Sequence, residues 1–104
     1  MPHKNLIGQE INVGDLVFEY YPQTPNGWVR EGMVSRFSQK SVFYNFVDKY
    51  NGEFVLREAY CKPKYIIKVS LNEFENYINS ENCNDYVRDR IINLIEYFEL
   101  NEAQ

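Results

Sequence analysis

The chain has few of the residues from which most catalytic and metal sites are built. It holds one histidine and two cysteines in 104 residues, and none of them stands in a nucleophile, zinc or phosphate-loop spacing. Cys61 and Cys83 do not form a C-x-x-C pair, which favours two reduced thiols over a disulfide. His3 lies at a chain start where fraying and solvation are expected. The sequence therefore predicts no catalytic residue, no metal ligand and no cofactor, and it favours a protein that is not an enzyme.

Long apolar runs are also missing. No window approaches the roughly 18 consecutive apolar residues that a membrane-spanning helix needs. The start "MPHKNLIGQE" has neither the apolar stretch nor the small-residue cleavage site of a signal peptide. These absences predict a cytoplasmic protein without a membrane segment. The length fits one domain, covering residues 1–104.

Positive charge is scarce overall, but the charges are unevenly distributed. The formal net charge is −4. Residues 1–70 hold nine Lys and Arg against seven Asp and Glu, whereas residues 71–104 hold two Arg against eight acidic residues. Affinity for nucleic acid comes mainly from Lys and Arg that neutralise phosphates. The acidic C-terminal part therefore argues against a duplex that lies across the whole molecule, and it leaves the N-terminal part open to such a role.

Residues 11–69 have the texture of short β-strands separated by turns. β-Branched and aromatic residues dominate five stretches, and Gly, Pro, Asn and Asp fill the segments between them. Gly32 falls inside the second stretch, where it indicates a bulge or a close approach by another part of the chain. The predicted strands are Asp15–Tyr21, Trp28–Phe37, Ser41–Asp48, Glu53–Tyr60 and Tyr65–Val69. Five short strands in succession predict a small antiparallel barrel or sandwich, and we expect a five-stranded barrel over about residues 11–69.

A helical period begins at Ser70, so residues 70–104 are predicted to form a two-helix hairpin. Ser70 and Glu73 have the spacing of a capping box. Asn84 or Asp85 can cap a second helix that continues to about Asn101. That helix has apolar residues beyond one stripe, which indicates either burial on two sides or a contact with a partner or a second copy. The additional apolar residues are Tyr86, Ile92, Tyr97 and Leu100. The fold class is therefore α+β and mostly β.

Aromatic residues are plentiful: seven Phe, nine Tyr and one Trp. Alternation in the first strand places Leu16 and Phe18 on one face and Val17 and Glu19 on the other. The third strand alternates in the same way, with aromatics on both faces. A small barrel interior cannot hold all of these rings, so we expect some of them at the rim. Exposed rim aromatics can stack a base, hold a cation or anchor a protein partner.

The stretch "VGDLVFEYY…NGWVREGMV…YNFVDKYNGE" resembles the Tudor-type branch of the SH3-like small barrels. The resemblance covers residues 13–53, about half of the chain. It implies a barrel with loop-side aromatics that form a cage for methylated Lys or Arg. Val29 stands where the family usually has Tyr, and Lys49 is inserted before Tyr50. The KOW-like barrels share the Gly-Asp entry and imply binding to RNA, DNA or protein.

From the resemblance and the aromatic content, the first hypothesis is a macromolecular recognition module that binds a protein partner. The predicted partner-binding residues are Tyr21, Trp28, Phe46, Tyr50 and Asn51. Trp28 has two interpretations, since a tryptophan at a strand start can close one end of the core or present its ring to a ligand. The Asn- and Ile-rich composition and small size also suit a phage protein that acts on a host factor.

The alternative hypothesis is a KOW-like nucleic-acid-binding barrel involved in transcription or its regulation. Basic residues would contact the phosphates, and neighbouring aromatics would stack on bases. The predicted contacts are Arg30, Arg36, Lys40, Lys62 and Lys64. A homodimer through the C-terminal helix is a further possibility under either hypothesis.

Overall fold

A computed structural model describes residues 3–21, 28–81 and 83–100. The strands are β1 (His3–Lys4), β2 (Glu10–Ile11), β3 (Leu16–Tyr21), β4 (Trp28–Phe37), β5 (Val42–Tyr50), β6 (Glu53–Cys61) and β7 (Ile66–Val69). A 3-10 helix (Pro63–Tyr65) precedes β7, and the helices α1 (Leu71–Ile78) and α2 (Asp85–Tyr97) follow it. The α+β class, the five predicted strands of one antiparallel sheet and the two C-terminal helices are therefore confirmed.

The five strands β3 to β7 form one antiparallel sheet in the order β6-β5-β4-β3-β7. Strands β3 to β6 are consecutive neighbours, and β7 returns to pair with the free side of β3. The β4–β5 register shifts between Val34 and Arg36, which marks a bulge. Strands β1 and β2 form a separate two-stranded ladder in which His3 pairs with Ile11.

The prediction of a closed barrel over residues 11–69 is wrong, because the sheet ends in two edge strands. Within the described part of the chain, β6 and β7 do not pair with each other. Each face of the sheet packs against other elements: the helices pack on one face, and Ile11 of β2 and Tyr65 of the 3-10 helix pack on the other. A sheet that buries apolar side chains on both faces does not need to curl into a closed barrel to make a core.

The two faces of the sheet belong to two different hydrophobic cores, as the predicted alternation requires. The first, here called the inner core, lies under the N-terminal ladder and contains Ile11, Val17, Val34, Val42, Tyr44, Phe46, Cys61 and Ile66. The second lies under the helices and is built around Val47, Phe74, Ile91 and Leu94, with Phe18 and Phe54 packed against it. The helices therefore cover aromatics that a barrel would have left at its rim.

Both helices begin at the predicted caps. The Glu73 amide donates to Ser70 Oγ at 3.1 Å, and the Ser70 amide donates to Glu73 Oε1 at 3.3 Å, so the capping box is confirmed. The Val87 amide donates to Asn84 Oδ1 at 2.9 Å, which makes Asn84 the N-cap of α2. That helix ends at Tyr97, four residues before the predicted end.

Two tyrosine side chains of α2 are partly exposed, although the Tyr86 hydroxyl donates to Asp48 Oδ1 on β5 at 2.8 Å. Tyr86 is 45% exposed and Tyr97 is 61% exposed, whereas Ile92 and Leu100 are half-buried. A dimer through this helix stays a prediction. Neither α1 nor α2, the α-helices of the described residues, is long and apolar enough to cross a membrane.

Candidate functional site: a lysine-lined groove

Of the predicted rim residues that the structure describes, Tyr50 and Asn51 lie together and Phe46 does not join them. Tyr50 precedes the β5–β6 turn and is 59% exposed. Asn51 and Gly52 form that turn with φ of 52° and 82°, the left-handed conformations of a two-residue hairpin. The Arg57 guanidinium carbon lies 5.7 Å from the centroid of the Tyr50 ring. Tyr50 and Asn51 are therefore adjacent at one end of the sheet, and a cation of the chain itself lies over Tyr50.

The other predicted rim residues do not join Tyr50. Phe46 is 7% exposed and belongs to the inner core. The Arg30 guanidinium carbon lies 4.1 Å from the centroid of the Phe46 ring and covers its face. The side chains of Tyr21 and Trp28 lie outside the described residues, although their backbones pair across β3 and β4. Phe46 thus packs in the interior, where an internal cation covers one of its faces.

Arg30 also takes part in a buried polar network in the inner core. Its Nε donates to the Tyr44 hydroxyl at 3.0 Å, and that hydroxyl donates in turn to a carboxylate oxygen of Glu19. Tyr44 and Glu19 have no exposed surface. Burial, followed by the hydrogen bond to Glu19, raises the pKa of Tyr44 above its usual range. The network explains how a carboxylate is accommodated in an apolar core, because its charge faces a hydroxyl donor and a guanidinium.

Cys61 lies next to this network. It is buried, and burial together with the nearby Glu19 carboxylate raises the pKa of its thiol. A cavity of about 250 Å³ opens here and is lined by Glu19, Ser41, Tyr60, Cys61, Lys62 and Tyr65. Cys61 and Cys83 are both free thiols, in agreement with the prediction of two reduced cysteines. Cys61 packs in the inner core, and burial of a thiol makes it a poorer nucleophile.

A groove lies next to this cavity, and it is lined by lysines from three separate parts of the chain. The lysine groove, as it is called below, has a volume of about 430 Å³. Its lining residues are His3, Lys4, Gln39, Lys40, Lys62, Pro63 and Lys64. The first two come from β1, the next two from the β4–β5 turn, and the last three from the 3-10 helix and the residue before it. No carboxylate is among these lining residues, so the groove presents positive charge only.

Local structure holds two of the three segments that line the groove together, β1 and the β4–β5 turn. The turn before β5 closes with the Ser38 amide donating to the Ser41 carbonyl at 3.0 Å. His3 Nε2 donates to the Ser38 carbonyl at 2.9 Å, and the imidazole packs edge-on against Phe37. His3 is therefore half-buried rather than frayed and solvated as expected. It attaches β1, and with it Lys4, to the β4–β5 turn.

The structure separates the five predicted nucleic-acid contacts into two groups. Lys40, Lys62 and Lys64 are exposed and line the same groove. Arg30 is engaged in the inner core, with 21% of its side chain exposed. Arg36 forms an ion pair with Glu58 at 2.8 Å on the sheet surface. The three lysines therefore line one site, whereas Arg30 and Arg36 interact with carboxylates outside it.

Sequence reasoning missed the contribution of β1 to this groove. Lys4 lies about 36 residues before Lys40 and almost 60 before Lys62, and nothing in the residues 1–10 predicts their position. The only local signal is the Lys62-Pro63-Lys64 stretch, in which the proline begins the 3-10 helix and fixes both lysines beside it.

The described residues contain no group of three His, Cys, Asp or Glu side chains that could hold a metal ion. Comparison of the chain with protein-family models, with curated proteins and with solved structures returns no match.

Proposed function

We propose that this protein is a non-enzymatic binding module that takes the phosphate backbone of a nucleic acid in the lysine groove. The observation that carries the proposal is the convergence of four lysines on one groove without a lining carboxylate. The proposal follows the alternative sequence hypothesis for Lys40, Lys62 and Lys64, and it adds Lys4. Phosphate contacts by lysine supply most of the affinity of such proteins.

The contrast with most other cations of the chain, Lys49 excepted, supports this proposal. Arg36, Arg57 and Lys68 each lie within 4.0 Å of a carboxylate oxygen, and so do Arg88 and Arg90 on α2. The groove lysines have no carboxylate at that distance among the residues that the structure describes. In a chain with a net charge of −4, carboxylates are abundant enough to pair every cation. A cluster that keeps its positive charge unpaired repels itself and attracts an anionic partner.

The fold is consistent with a relationship to the small barrels. We propose that the sheet is an open member of the SH3-like class, with Tudor-type and KOW-like barrels as its nearest resemblances. The return of β7 to β3 supports this, because it places the first and the last of the five strands side by side. The KOW-like resemblance implies RNA, DNA or protein ligands. An anionic nucleic acid bound by the lysines of the groove agrees with that implication.

Protein binding at the opposite end of the sheet is a second proposal. Its supporting observation is the exposed Tyr50 beside the tight Asn51-Gly52 turn. Exposed tyrosines are frequent anchors in protein interfaces. This surface and the lysine groove lie at opposite ends of β5, so the two proposals can be tested independently.

Neutralising the groove is expected to weaken nucleic-acid binding and its dependence on salt. Lys40→Gln, Lys62→Gln and Lys64→Gln combined should lower affinity for a labelled oligonucleotide about tenfold or more at about 50 mM salt. The slope of log K against log salt should fall in magnitude by about 2 to 3, since each of the three lost phosphate contacts removes about 0.7 to 1. Fluorescence anisotropy at several salt concentrations measures both quantities.

Lys49→Gln is the matched control, because Lys49 is exposed at the other end of β5. It should leave both the affinity and the slope unchanged. Equal weakening by Lys49→Gln and by the triple variant would show a non-specific charge effect and would overturn the assignment of the groove. Tighter binding of poly-glutamate than of any oligonucleotide would replace the nucleic acid by an acidic protein.

A further inference from the structure

A row of three stacked side chains, Arg36, Phe43 and Tyr60, runs across the sheet surface and ends beside the lysine groove. Tyr60 on the edge strand β6 lies directly opposite Phe43 on β5, with ring centroids 5.4 Å apart and an angle of 34° between the rings. On the other side, the Arg36 guanidinium carbon lies 3.9 Å from the centroid of Phe43. Tyr60 ends this row and is 67% exposed. The row therefore supports a large flat ring in solvent at the edge of the sheet.

Lys62 lies between Tyr60 and the lysine groove and connects the two. The backbone of Lys62 is extended, with φ −72° and ψ 146°. Side chains two residues apart on an extended chain leave it on the same side, about 7 Å from each other. Lys62 lines the lysine groove, and together with Tyr60 it also lines the neighbouring 250 Å³ cavity. Lys62 therefore joins the groove to the cavity beside Tyr60, and the one carboxylate among the lining residues of that cavity, Glu19, has no exposed surface.

We propose that the groove ligand is a single-stranded nucleic acid, with its phosphates on the groove lysines and an unpaired base stacked on Tyr60. This inference rests on the proposed function and specifies its ligand. A base within a duplex has both faces covered by neighbouring base pairs, so an exposed tyrosine can stack only on an unpaired base. Alternating cations and stacking rings are the elements by which single strands are held without sequence readout.

The charge distribution independently disfavours a duplex. Residues 71–104 carry two Arg against eight acidic residues, and most of them belong to or flank the two helices. Away from the lysine groove, the acidic helical part of the chain offers a rigid duplex few further basic contacts. A flexible single strand can follow the short basic path and turn away. Its lower charge density also costs less repulsion than that of a duplex.

The test compares three labelled probes of about 16 nucleotides or base pairs by anisotropy at the same salt concentration. The probes are single-stranded DNA, single-stranded RNA and duplex DNA of the same sequence. The single strands should bind more tightly than the duplex, and the DNA and RNA arms show which backbone is preferred. Tyr60→Ala should weaken single-strand binding about tenfold and leave the salt slope unchanged, because it removes a ring and no charge. Tyr60→Phe should retain the wild-type affinity.

Tyr97→Ala on α2 is the control for loss of an exposed tyrosine, and it should have no effect on binding. Circular dichroism of each variant checks that the fold is intact. If the duplex binds as tightly as the single strands, or if Tyr60→Ala binds like the wild type while the groove lysine variant is weakened, this inference fails and the proposed function survives. If none of the three probes binds, the proposed function itself fails.

Discussion

Replacing Arg90 by Met is expected to lower the free energy of unfolding by about 3 to 5 kcal/mol at neutral pH. Arg90 on α2 donates from Nη2 to Glu31 Oε1 on β4 at 3.0 Å, and Glu31 is 1% exposed. The variant leaves a carboxylate in the helix-side core without its counterion. Chemical denaturation, with the free energy extrapolated to water, measures the loss.

The pH dependence of that loss identifies its cause. Burial raises the pKa of Glu31, and Arg90 opposes this rise. Without Arg90 the folded-state pKa of Glu31 rises further above its unfolded value. A raised carboxyl pKa favours the protonated folded state, so its stability contribution is present at acid pH and is lost as pH rises through the folded pKa. The difference between Arg90→Met and wild type should therefore be smaller at about pH 5 than at about pH 7.

Two controls separate the buried pair from a general effect of losing arginine. Arg57→Met breaks a surface pair with Asp48 at 3.5 Å, and it should cost no more than about 1 kcal/mol. Glu31→Leu combined with Arg90→Met should recover most of the lost stability, because both charges leave together. A double variant as unstable as Arg90→Met alone would contradict the counterion explanation and would indicate a loss of packing instead.

The strands and helix caps were predictable because their causes are local. Alternation from Leu16 to Glu19 assigned the side chains to the correct faces. Val17 packs in the inner core, and Leu16 and Phe18 pack in the core under the helices. The Ser70 and Glu73 pair predicted its own hydrogen bonds, because a capping box needs only residues three apart. In such cases the physical interaction lies within the window that a sequence pattern can describe.

Features that join distant segments were not predictable in this way. Glu31 and Arg90 are 59 residues apart, and the alternation of β4 alone gives no reason for a carboxylate to face the helices. The open sheet follows from the helices covering its second face, which is a property of tertiary packing. The lysine groove joins β1, the β4–β5 turn and the 3-10 helix, so its charge cluster exists only after folding.

Gly32 was predictable in part. The sequence predicted that this position needs a glycine, but it did not predict which residue lies against it. The prediction allowed a bulge or a close approach; the bulge lies instead between Val34 and Arg36, and the close approach is made by the Tyr44 ring. A Cβ atom on Gly32 would overlap that ring and would lie 2.9 Å from the Asn45 carbonyl oxygen. The glycine is therefore required by packing across the β4–β5 pair.

Gly32→Ala is accordingly expected to destabilise the protein by about 3 kcal/mol. The added methyl group cannot be accommodated by a side-chain rotation, because Tyr44 has no exposed surface and its hydroxyl is held between Glu19 and Arg30. Displacing the ring would also leave the buried Glu19 carboxylate without its donor, which adds a desolvation cost. Thermal and denaturant unfolding measure the effect. Val29→Ala, an exposed change on the same strand, should cost about 0.5 kcal/mol or less, and an equally small loss for Gly32→Ala would show that β4 and β5 can separate at this point without disturbing the Glu19 network.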